Sequence, residues 1–79
     1  MQIKCYISST LIDMGIETTN EELSTMWGVH RNTVTNLIKG KTLPNLQTAY
    51  MIVDYFNQQA ELKGIARRWT VEDIWQRQK

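Results

Sequence analysis

Gly15, Gly28, Gly40 and Gly64 punctuate the chain, and each follows a run whose apolar residues recur at helical spacing. A glycine just past the last turn of a helix lets the backbone reverse. This punctuation constrains the fold more than any other feature. Ile3, Ile7, Leu11 and Met14 make one helical stripe ahead of Gly15. Leu23, Met26 and Trp27 give a second apolar face, closed by Gly28. A third helix is expected from about Arg31 to Lys39, burying Val34, Leu37 and Ile38, with Val29 in the turn before it and Gly40 after it. Leu46, Ala49, Tyr50, Ile52, Val53 and Phe56 form the expected buried side of a fourth. Either that helix continues past Asn57 through Leu62 to Gly64, or a loop is inserted over about residues 57–69.

The start signals agree with the stops. Thr19-Asn20-Glu21-Glu22 is a capping-box pattern, in which the threonine hydroxyl takes the N3 amide and Glu22 reaches back. Glu21 and Glu22 also suit the positive end of the helix dipole. Asn45 is a good N-cap for the fourth helix. Thr70 caps a last short helix, with Val71, Ile74 and Trp75 facing inward. No segment sustains period-two alternation, so no sheet is expected. The sequence therefore predicts an all-α fold, a compact five-helix single domain over residues 1–79, with a helix-turn-helix at about 19–40.

Composition removes several classes of function. At 79 residues the chain supports one domain with a marginal core. Cys5 is the only cysteine, so no intrachain disulfide forms, and a lone thiol fits a reducing cytosol. Cys5 reads as a small apolar filler. One thiol and His30 do not make a structural metal site. No apolar run approaches a bilayer span, and the first ten residues lack the apolar core of a secretory signal. A soluble cytoplasmic protein without cofactor or metal is expected. Asp13, Glu17, Glu21 and Glu22 read as a cap and a solvated surface. With no clustered acid–base pair, activated nucleophile or phosphate-cradling loop, an enzyme is not expected.

Net charge is only +1, but its distribution is uneven. The acidic residues at 13–22 sit together, and none occurs from Val29 to Tyr50, where Arg31, Lys39 and Lys41 stand. Lys63, Arg67 and Arg68 form a second basic cluster. A nearly neutral chain of this kind can still present one positive face.

The joint spacing of Thr19-Asn20-Glu21-Glu22-Leu23, Gly28-Val29-His30-Arg31-Asn32-Thr33-Val34, Gly40-Lys41 and Pro44-Asn45-Leu46 resembles the Cro/repressor (XRE) helix-turn-helix family. Thr70-Val71-Glu72-Asp73-Ile74-Trp75 is similar to that family's last helix. The chain departs from the pattern in a longer Gly15–Thr19 loop, in a longer Asn57–Trp69 segment, and in Ile38, where many members carry a charge.

The resemblance implies a lambda-repressor-like fold and a phage-like or mobile-element regulator of transcription in the bacterial cytosol or nucleoid. It also implies that the third helix enters the major groove of double-stranded DNA. Arg31, Asn32, Thr35 and Asn36 would then face base edges. Arginine pairs bidentately with guanine, asparagine pairs with adenine, and the Thr35 methyl suits a thymine methyl. Asn20, His30, Thr33, Lys39, Lys41 and Asn45 are the expected phosphate contacts, with His30 also readable as an N-cap. Trp69 and Trp75 are expected either in the core or, with Arg67 and Arg68, on a dimer or partner surface. The implied partner is a pseudo-palindromic operator bound by a homodimer. The alternative is a protein-interaction module or antirepressor that keeps the fold without binding DNA, suggested by the near-neutral charge and the acidic cluster.

Overall fold

The structure, a computed structural model, describes residues 2–78. Five helices are α1 (Ile7–Asp13), α2 (Asn20–Trp27), α3 (Arg31–Ile38), α4 (Leu46–Lys63) and α5 (Val71–Ile74). Two strands, β1 (Gln2–Cys5) and β2 (Trp75–Gln78), flank them.

The core follows from which helix faces meet. Ile7, Leu23, Val34, Leu37, Ile52, Phe56 and Ile74 are fully buried, so every helix contributes at least one side chain to a single cluster. On α4 the buried set is Ala49, Ile52, Val53, Phe56 and Ala60. That spacing keeps one face of a five-turn helix on the core. Two residues expected on that face lie off it: Leu46 is 66% and Tyr50 is 55% exposed. Tyr50 directly follows Ala49, and one residue rotates a helical side chain by about 100°. Met26 leaves the α2 core face for the same reason, since Leu23 and Trp27 already define it.

The absence of a sheet was the main expectation overturned. β1 and β2 pair antiparallel, Gln2 with Gln78 through Cys5 with Trp75. The stripe Ile3-Ile7-Leu11-Met14 matches a helical period, yet the helix begins only at Ile7. Ile3 and Cys5 instead point inward from a strand whose burial alternates. The Tyr6 amide extends the ladder by donating to the Ile74 carbonyl at 2.7 Å. Burial pushes the Cys5 thiol pKa up, with the Ile7 backbone partly offsetting it. The thiol is therefore a poor nucleophile, in line with a packing role.

Of the two readings of residues 57–69, the extended helix is observed. α4 runs to Lys63 and ends at Gly64, whose φ is 71°. The chain then returns to Trp69, where Asn57 clamps it twice. The Trp69 amide donates to Asn57 Oδ1 at 2.8 Å, and Asn57 Nδ2 donates to the Trp69 carbonyl at 3.1 Å. Trp69 and Trp75 are 7% and 8% exposed, packed in the core. Of the two readings of these tryptophans the core is observed, and their rings offer almost nothing to a partner. Arg67 stacks over the Trp69 ring at 4.8 Å.

Candidate nucleic-acid interface

The helix-turn-helix is assembled by local bonds at both of its starts. At α2, Thr19 Oγ1 accepts from the Glu22 amide at 3.1 Å. The Glu22 carboxylate takes the Thr19 hydroxyl at 3.4 Å rather than the backbone amide expected of it. At α3, His30 is the N-cap: its Nδ1 accepts from the Asn32 amide at 3.0 Å. An accepting Nδ1 puts the ring proton of the neutral imidazole on Nε2.

Between the helices, Gly28 takes the left-handed conformation, φ 66°, and the Val29 amide reaches back to the Ser24 carbonyl at 3.1 Å. This closes α2 and turns Val29 toward the core. No atom would meet an added Cβ at Gly28, so an alanine there meets conformational strain alone. We expect Gly28→Ala to lower unfolding stability by about 1–2 kcal/mol. Gly28→Asn should lose less, because asparagine tolerates this region. Urea titration of the three proteins measures the order.

One cross-connection fixes how α3 lies on α2. Asn20 Nδ2 donates to Thr35 Oγ1 at 3.0 Å, and the same hydroxyl donates to the Arg31 carbonyl at 3.2 Å. The Thr35 hydroxyl thus both accepts and donates within the chain. Asn20, expected as a phosphate ligand, is half-buried and acts first as a strut between the two helices, joining residues fifteen apart. Sequence reading missed this strut, since two polar side chains so far apart carry no local signal.

The exposed surface of α3 carries the remaining polar groups. Val34 and Leu37 are buried, and Asn32, Asn36 and Lys39 recur at i, i+4 and i+7 on the opposite side. Arg31, Asn32, Thr33 and Lys39 are exposed, while Thr35 and Asn36 are half-buried. The side-chain hydrogen bonds among the described residues leave the Arg31 guanidinium and the Asn32 amide group free. Only the backbones of these two residues take part. Lys41 and Asn45 are exposed beyond α3, and Asn45 Oδ1 caps α4 through the Thr48 amide at 2.8 Å. Lys63, Arg67 and Arg68 are exposed at the far end of α4 and beyond it, and belong to neither helix of the motif. Among the described residues no cluster of histidine, cysteine and carboxylates is placed to hold a metal, and no helix is long and apolar enough to cross a membrane.

A family model described as Helix-turn-helix matches residues 17–62, more than half of the chain, from just before α2 almost to the end of α4. No curated protein matches the chain. With the capped α2, the glycine turn and an α3 whose outward face is polar, the chain belongs to the Cro/repressor-type (XRE) helix-turn-helix family of DNA-binding regulators of transcription.

Proposed function

We propose that the protein binds double-stranded DNA sequence-specifically, as a phage or mobile-element repressor or a Cro-like regulator. In this reading α3 lies in the major groove. The free Arg31 and Asn32 side chains at its first turn carry the proposal. Arg31 reads guanine through O6 and N7. Asn32 and Asn36 read adenine, and the Thr35 methyl packs on thymine. Asn20, His30, Thr33, Lys39, Lys41 and Asn45 contact phosphates and set the register. His30 offers Nε2–H for this role while Nδ1 holds the cap. With so few cations per chain, useful affinity comes from a homodimer on a pseudo-palindrome, with half-sites roughly 10 bp apart. Arg67 and Arg68 serve DNA flanks or a dimer contact.

The protein-interaction or antirepressor reading keeps both of its supports, the net charge of +1 and the acidic residues Asp13, Glu17, Glu21 and Glu22, all exposed. Selection of a random duplex library on the purified protein at about 0.15 M salt separates the two, because non-specific binding is damped there. An enriched inverted repeat is the expected result, and its spacing gives the dimer geometry. A folded protein that enriches nothing supports the protein-interaction reading instead.

A further inference from the structure

We infer that the open groove between α2 and α4 is a docking site for a basic amphipathic helix of a partner protein. The groove has a volume of about 660 Å³ and is walled by Met26, Trp27, Tyr50, Met51, Asp54 and Tyr55, with glutamines of α4 filling the rest. Met26 is 49% and Tyr50 55% exposed, at its lip. Both lie off the core faces of their helices and stand in water. Methionines and aromatic rings together make an adaptable apolar surface.

Charge selects the occupant. Asp54 lines the groove, and no lysine or arginine does. Glu22 stands near enough to Tyr55 to add to the effect of burial in raising its phenol pKa. Glu61 is exposed two turns beyond Asp54 on the same helix. Asp54, the one charged group lining the groove, repels phosphates and attracts lysine and arginine, and the methionine and aromatic side chains beside it take the leucine or phenylalanine anchors of a helix laid along them. Two helices flanking a trough also suit a third helix geometrically, since helices pack 8–10 Å apart on interdigitating side chains.

No residue of α3 lines the groove. Its occupation therefore leaves the outward face of α3 uncovered.

The test uses two synthetic peptides of about five helical turns. Each carries leucines along one face, and the other face is lysine in one peptide and glutamate in the other. Protein labelled at its methionine methyls reports where they bind. With the lysine peptide, the Met26 and Met51 methyls are expected to shift, while Met14, buried in the core, stays fixed. The glutamate peptide should leave all three unmoved. Asp54→Lys and Tyr50→Ala, both at exposed positions, should each weaken the lysine peptide at least about tenfold. Arg31→Ala/Asn32→Ala should leave its affinity unchanged. Equal binding of the two peptides, shifts confined to residues outside the groove, or an Asp54→Lys protein that binds as tightly as the wild type would each overturn the assignment.

Discussion

Replacing Arg31 and Asn32 together by alanine should erase sequence preference while leaving the melting transition nearly unchanged. Each bidentate base contact contributes roughly 1–3 kcal/mol of discrimination. Losing two lowers the ratio of operator to random-duplex affinity by roughly 10²-fold or more. The fold should tolerate the change, since both side chains are exposed and free, and alanine is the better helix former than asparagine. Binding of the wild type and the double variant to the selected operator and to scrambled duplex, at one salt concentration, gives the ratio. A variant that keeps the wild-type ratio would remove α3 from the readout. A residual, salt-sensitive affinity shared by both duplexes is the expected remainder, because the variant keeps the proposed phosphate contacts of Lys39 and Lys41.

Phe56→Ala should be the most damaging single truncation in the core. Phe56 is fully buried on the core face of α4 and its ring lies 5.5 Å from that of Tyr55. Emptying such a site typically costs about 3–5 kcal/mol. A domain of this length has roughly 4–12 kcal/mol in total. The variant should therefore unfold at or near physiological temperature, as read by circular dichroism on heating. Tyr50→Ala on the same helix should leave the transition almost in place, because more than half of that side chain already meets water. The contrast between two aromatic positions on one helix checks the burial pattern directly.

The parts of this fold that were legible in the sequence are those governed by neighbours a few residues apart. The extents of α2 and α3 and the Thr19, His30 and Asn45 caps all rest on bonds spanning two to five residues. The sheet was illegible for the opposite reason. Trp75-Gln76-Arg77-Gln78 becomes a strand only because Gln2–Cys5 lies beside it, and Ile3 falls into register with a helix that does not include it. The site divides the same way. The outward face of α3 could be read from where Val34 and Leu37 fall. The Asn20–Thr35 strut and the Asn57 clamp on Trp69 join residues fifteen and twelve apart, and only the folded chain brings them together.

The pairing of Gln2 with Gln78 sets how the molecule responds to a pull. The two strands run antiparallel with the outer residues of the chain at the same end of the ladder. Tension applied at those residues therefore opens the hydrogen bonds one after another, as a zipper, and does not load them all at once in shear. The clasp should part at low force, peeling from Gln2 and Gln78 toward Cys5 and Trp75. The helix-turn-helix is built from residues inside that clasp and stays off the load path until the ladder is gone.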